Sequence, residues 1–357
     1  MDGTTELLKK LTEASGVAGY EREVRNIIRQ YLEPLGEITQ DKLGSLICKK
    51  KGDADEPKVV LAGHMDEIGF MVKYITKEGF IRFTPLGGWW DQVLLAQRVI
   101  IKTNKGDVIG IIGARPPHLL SEEDRKKIVE KKDMYIDIGA VSQQEVEEAG
   151  IRVGDPIVPT SEFIELASSK TYLGKAFDDR VGCALAITAM RQLANKKHPN
   201  TLFAVATVQE EVGARGASTC VELIDPDVAI ILESDIAGDV PGIKPEESPI
   251  KLGGGPTILV YDAFMIPNLR LRDLVIDTAK ERDIPIQMSA VEGGGTDGGQ
   301  IHIHKSGVPT AVLAVPTRHI HSHSTILRRE DFDRAVELLI AIIQKLNRKT
   351  VTNLTSW

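Results

Sequence analysis

Cysteine is scarce: Cys48, Cys183 and Cys220 are the only three in 357 residues, an odd number spaced far apart. That excludes a disulfide framework and fits a reducing, cytoplasmic setting. No uncharged apolar run approaches the roughly 18 residues that a membrane span requires. The opening MDGTTELLKKL lacks the basic-then-apolar order of a secretory leader, so none is expected. Positive charge is also in short supply, with 44 Lys and Arg against 51 Asp and Glu and a net of −7. A non-specific nucleic-acid binder needs a basic footprint, which this balance argues against. Internal repeats and low-complexity tracts are lacking as well. What is present is ordinary globular composition, 42% hydrophobic and 27% charged. A chain of this length has a prior of about two domains and can bury a core without staples.

Hydrophobic periodicity divides the chain into three stretches. Residues 4–33 read as an amphipathic helix pair broken at Gly16, Gly19 and Tyr20, and Val59 to Ala62 reads as a buried strand ending at Gly63. Residues 70–160 have a different texture. Short strand-like pieces flank Lys77-Glu78-Gly79, and Arg98–Thr103 with Asp107–Ile112 flank Asn104-Lys105-Gly106, a hairpin signal. One charged helix is expected from Ser121 to about Lys132. These features predict a small β-barrel-like domain, residues 70–160, inserted into a larger domain made of residues 1–69 and 161–357. From about residue 165 helices alternate with strands apolar on both faces, which implies an α/β fold with a mixed, doubly wound sheet and helices on both faces.

Ligands in open α/β sheets bind beyond the carboxyl ends of the strands. Here those ends carry His64-Met65-Asp66-Glu67, Gln209-Glu210-Glu211, Glu233-Ser234-Asp235 and, a few residues past strand 310–315, His319-Ile320-His321-Ser322-His323. Asp178-Asp179 sits where a helix begins. Singly, each has a plain explanation: a Glu pair on a solvated surface, an Asp pair capping a helix. Together they would repel one another, and a divalent cation is the usual remedy. Histidine mixed with carboxylate, without cysteine pairs, favours zinc, cobalt or manganese in an open catalytic site. The run Gly293-Gly294-Gly295-Thr296-Asp297-Gly298-Gly299 lacks the Lys and Ser/Thr of a P-loop, so a phosphate cradle is a weak reading. Trp89-Trp90 suits either an interface or a core.

The stretches GHMDEIGFMV, LGKAFDDRVGCA, VQEEVGARGA, IAGDVPG, GGGTDGGQIH and RHIHS, in that order along the chain, resemble the tetrahedral (TET), glutamyl and deblocking aminopeptidases. These are binuclear metallopeptidases, and some relatives carry an endoglucanase name. The resemblance implies a metal-dependent aminopeptidase acting on short peptides with a free amino terminus. Two divalent ions per subunit, most often zinc or cobalt, would be held by His64, Asp178, Glu211, Glu233 and His321, with Asp178 bridging. Asp66 would orient His64, Glu210 would be the general base on the bridging water, and the Asp178–Asp179 peptide would be cis. Thr296 and Asp297 would lie beside the active site as substrate contacts. Alignment on Ile236-Ala237-Gly238-Asp239 favours Glu233 over its rival Asp235, although the family more often has aspartate there. His319 and His323 replace residues that are more often Tyr and Pro, and read as pocket-wall or surface groups. The resemblance further implies self-association, often as a hollow tetrahedral dodecamer built partly through the inserted domain, with no nucleic-acid or membrane partner. A glycoside hydrolase using paired carboxylates and a non-catalytic assembly protein are the alternatives. Against the first stand His64 and His321, for which such an enzyme has no use; against the second stands the retained Glu210.

Overall fold

The computed structural model describes residues 2–168 and 170–356. Four parallel strands form the centre of one mixed sheet, in the order Thr201–Thr207, Lys58–His64, Val228–Ile236 and Thr310–Arg318. Each is buried along nearly its whole length, as expected of strands covered on both faces. Leu46–Lys51 and Glu37–Gln40 extend one side antiparallel, and Thr325–Arg328, Thr171–Gly174 and Ile164–Glu165 extend the other. Thr257–Tyr261 lies antiparallel on Thr310–Arg318 and carries Gln287–Ala290 beside it.

Helices cover both faces, as the sequence pattern predicts. On one face pack Gly3–Glu13, Arg22–Leu32, Phe177–Gln192, Leu269–Glu281 and Arg329–Lys345, sharing a core with Leu61, Leu232 and Leu313. On the other, Arg215–Ile224 and Gly298–Ile301 meet Val60, Ala62 and Ile231. Phe332, Ala335, Leu339 and Ile342 of the Arg329–Lys345 helix are all buried, the 3.6-residue stripe that its sequence displays. Among the described residues, no helix is long and apolar enough to cross a membrane.

Directly after the His64 strand the chain enters a closed six-stranded barrel, ordered Gly69–Ile75, Ile81–Leu86, Tyr135–Asp137, Gly106–Gly113, Arg98–Thr103 and Pro156–Pro159. Its interior is filled by Phe70, Val99, Ile101, Ile112, Ile136 and Ile157. The 98–113 hairpin pairs Thr103 with Gly106, whose φ of +125° explains the glycine there. The charged helix expected from Ser121 does not form. That stretch makes only two 3₁₀ turns, Asp124–Lys126 and Lys131–Asp133. Its only apolar residues, Ile128 and Val129, are adjacent and make no stripe to bury, and a short helix without a buried face is marginal in water.

Candidate metal centre

His64 ends its strand against the start of the Phe177–Gln192 helix. Gly63 and Gly182 make that approach possible: a Cβ on Gly182 would lie 2.3 Å from the Leu232 carbonyl oxygen, and one on Gly63 2.8 Å from the Gly182 carbonyl carbon. Asp179 fastens the two elements, accepting the His64 N–H at 3.0 Å through Oδ2 and the Gly182 N–H at 2.9 Å through Oδ1. The Asp178–Asp179 peptide is cis, and both residues have non-helical dihedrals, so the regular helix starts after them. The Asp178 side chain faces the histidines at the strand ends.

Asp178 joins two clusters of donor atoms. Its Oδ1 lies 3.1 Å from His64 Nε2, and its Oδ2 lies 3.2 Å from His321 Nε2. His64, Asp178 and Glu233 offer ligand atoms within 4.8 Å of one another, and so do Asp178, Glu211 and His321. Glu233 Oε1 is 3.9 Å and Glu210 Oε2 3.8 Å from His64 Nε2, while Glu211 Oε2 is 3.6 Å from His321 Nε2. Asp235 belongs to neither cluster; its Oδ1 accepts the Ile236 N–H at 2.8 Å.

Glu210 and Glu211 both reach the centre because their strand ends at Thr207 and Gln209 takes φ +57°. Asp66 holds the turn, its Oδ1 accepting the Glu210 N–H at 2.9 Å and its Oδ2 the Glu211 N–H at 3.1 Å. Its carboxylate is also 3.5 Å from His64 Nδ1, which lies 3.0 Å from the Asp66 carbonyl. His321, at φ +57°, donates through Nδ1 to the Gly88 carbonyl at 2.8 Å. Gly88 belongs to the barrel region, so the barrel fixes one imidazole of the centre.

Burial raises the pKa of Glu210 and Glu233 well above the carboxylate range, with neighbouring carboxylates adding to it, and lifts Glu211 to about 8. Burial opposes charge on His321, yet Asp178 and Glu211 raise it to about 10. Glu211 Oε1 is sealed from solvent without a hydrogen-bond partner. No Lys or Arg is among the described residues lining the adjoining cavity of about 470 Å³. Oxygen and imidazole donors crowded together with an unpartnered carboxylate oxygen fit divalent cations.

Thr296 lines the cavity and donates to Asp262 Oδ2 at 3.2 Å. Asp297 does not line it; Asp297 is buried and accepts the Thr207 hydroxyl at 2.5 Å, and burial lifts its pKa to about 6. His319 is exposed. His323 is buried 5.1 Å from the Trp89 ring. Trp89 stacks on Phe70 and donates to the Gly69 carbonyl at 3.1 Å, a core residue, while Trp90 faces solvent.

Sequence reasoning named Asp179 but missed the backbone contacts it makes, and it missed Gly88 and a buried ion cluster beneath the site. There Lys175 Nζ lies 2.6 Å from Glu67 and Arg180 3.4 Å from it. Both cations also donate to the Ala14 carbonyl, at 3.1 Å each. A lysine and an arginine flanking the apolar start of a core helix were the available signal.

A family model described as M42 glutamyl aminopeptidase matches residues 44–338. The chain belongs to the M42 glutamyl aminopeptidase family. Within it, the lysyl aminopeptidase of Pyrococcus furiosus is 36% identical, covering 96% of this chain and 97% of its own. The glutamyl aminopeptidase of Lactococcus lactis is 35% identical over 98% of both. Among solved structures, a TET aminopeptidase from a marine sediment Thaumarchaeota archaeon superposes with a TM-score of 0.97, at 51% identity over 99% of each chain. The Pyrococcus horikoshii TET1 peptidase, described as assembling into a tetrahedron or a large octahedral shell, gives 0.87 at 33% identity over 96% of this chain and 100% of its own. A Thermotoga maritima chain named endoglucanase gives 0.79 at 31% identity over 98% and 99%. As an M42 member the chain is a peptidase, a hydrolase of the aminopeptidase class.

Proposed function

We propose that the chain removes amino-terminal residues from short peptides with the help of two divalent ions, zinc or cobalt being the best suited. His64, Asp178 and Glu233 would hold one ion; Asp178, Glu211 and His321 would hold the other. The observation that carries this reading is Asp178, whose two oxygens each face a different imidazole. Bound ions would polarise the scissile carbonyl and acidify the attacking water. Glu210, beside the ligands but in neither donor cluster, takes the water's proton and returns it to the leaving amine. Asp66 orients His64 and holds the backbone of Glu210 and Glu211, so that ligand and base keep a fixed separation. Thr296, on the cavity wall, is the substrate contact that the reading retains; Asp297 supports the floor through Thr207.

We assign a second role to the barrel. Its exposed Ile109, Ile111, Leu119 and Ile128 offer an apolar surface suited to a second copy of the chain. Self-association into a shell, the behaviour described for the TET1 peptidase, is the assembly proposed. The three cysteines are free and buried, in keeping with the cytoplasm.

Chelation followed by readdition of one metal at a time tests the proposal. Hydrolysis of an aminoacyl-nitroanilide should vanish and return with zinc or cobalt. The endoglucanase name of one structural neighbour supports a second reading, glycoside hydrolysis by paired carboxylates. Cellulose-derived substrates cleaved equally well before and after chelation would favour it over the peptidase reading.

A further inference from the structure

Six carboxylates line the cavity: Asp178, Glu210, Glu211, Glu233, Asp235 and Asp262. The first four belong to the proposed catalytic centre and would be offset by its ions. The remaining two are wall residues without a Lys or Arg partner, and their oxygens are already engaged or sealed. Asp262 accepts the N–H groups of Phe264 and Met265 at 2.8 Å each through Oδ1, and the Thr296 hydroxyl through Oδ2. Asp235 accepts the Ile236 N–H through Oδ1, and its Oδ2 is closed off from solvent beside the hydroxyls of Thr257 and Ser289. Both aspartates are almost wholly buried, at 3% and 2% exposure, so little of either carboxylate reaches the cavity surface.

The surface left for a substrate side chain is apolar. Ile236, Leu259, Phe264, Val291 and Ile320 share this lining. Ile236 and Phe264 are 48% and 64% exposed although large and apolar, and both stand on the cavity. Phe264 is held by the glycine loop, since a Cβ on Gly295 would lie 1.8 Å from its ring. An acidic side chain entering here would lose water, meet no Lys or Arg among the described wall residues and face Asp235 and Asp262. A lysine side chain would give up water at its ammonium group to reach wall aspartates that are nearly buried. An uncharged apolar side chain loses nothing and gains contact.

We infer that the cavity selects an uncharged, apolar amino-terminal residue and rejects an acidic one, in contrast to the glutamyl activity for which the family is named. This inference rests on the proposed peptidase reading. Selection is set by the absence of a wall cation together with the collar of Ile236, Phe264 and Ile320.

The test is kcat/KM of the metal-loaded enzyme on the p-nitroanilides of Leu, Gln, Glu and Lys. Gln and Glu share a shape, so their ratio isolates charge. Leu should be the best substrate, and Glu should fall at least roughly tenfold below Gln, the scale on which an unmatched group is discriminated. Ile236→Lys places a cation at the collar and should raise the Glu-to-Gln ratio severalfold; an unchanged ratio would overturn the electrostatic argument. Glu equal to Gln, or Lys better than Leu, in the native enzyme would also overturn it. Affinities of the α-hydroxamates of leucine and glutamate, measured by titration calorimetry, give a readout independent of turnover. Should no nitroanilide be cleaved with any metal, the peptidase reading falls; equal or tighter binding of the glutamate hydroxamate would then overturn the side-chain preference separately.

Discussion

Glu210 and Glu211 are neighbours in the chain, yet one carboxylate faces His64 and the other His321. That split makes the proposed base testable apart from the proposed ligands. Glu210→Gln keeps the shape and removes proton acceptance. The account expects kcat to fall by about 10²–10⁴, equivalent to roughly 3–5 kcal/mol of barrier, with metal content and KM nearly unchanged. Near-normal kcat in the fully metallated variant would remove Glu210 from the mechanism. A second residue-scale prediction concerns Glu21, which accepts the Gly19 N–H at 2.7 Å and the Gln209 N–H at 3.2 Å. Burial, with Asp66 nearby, lifts its carboxyl from about 4.5 to about 7. The unfolded chain therefore ionises this group at lower pH than the folded one does, and its contribution to stability falls as pH rises through that window. The loss amounts to at most about 3–4 kcal/mol. Glu21→Gln keeps an acceptor oxygen and should flatten the decline of the denaturant midpoint between pH 5 and pH 8; a variant with the same slope as the parent would contradict this.

At the scale of elements, the site depends on the Phe177–Gln192 helix pressing on the His64 strand. Gly182→Ala would place a methyl against the Leu232 carbonyl and the Asp179 carboxylate, costing about 1–3 kcal/mol as an overpacking change. Thermal melting should show the loss, and a melting temperature equal to the parent's would mean that the contact is slack. The same contact shows what the sequence could and could not disclose. Strands such as Thr201–Thr207 and Val228–Ile236 were legible because apolarity on both faces is a local signal. So was the Arg329–Lys345 helix, from its 3.6-residue stripe, and so were the residues at the strand ends, from their chemistry. The role of Asp179 was not, because it acts on a backbone N–H 115 positions away. Nor was Gly88, whose carbonyl meets His321 across 233 positions. The helix expected at 121–132 failed for the opposite reason: its residues have local helix propensity but no partner to bury against.

On the scale of the whole molecule, the Gly88 carbonyl ties the barrel to His321, so the proposed self-contact is best tested on the barrel's outer face. Ile109 and Ile111 lie there, two residues apart on one strand and both exposed. The double change Ile109→Asp with Ile111→Asp should lower the sedimentation coefficient while leaving circular dichroism and metal content intact. An unchanged assembly would place the self-contact elsewhere. The central claim is that Asp178 sits between two ions. Anomalous diffraction from crystals of the zinc-loaded enzyme tests it most directly. Two peaks per subunit are expected, one among His64, Asp178 and Glu233, the other among Asp178, Glu211 and His321. A single peak, or a pair not sharing Asp178, would contradict the account.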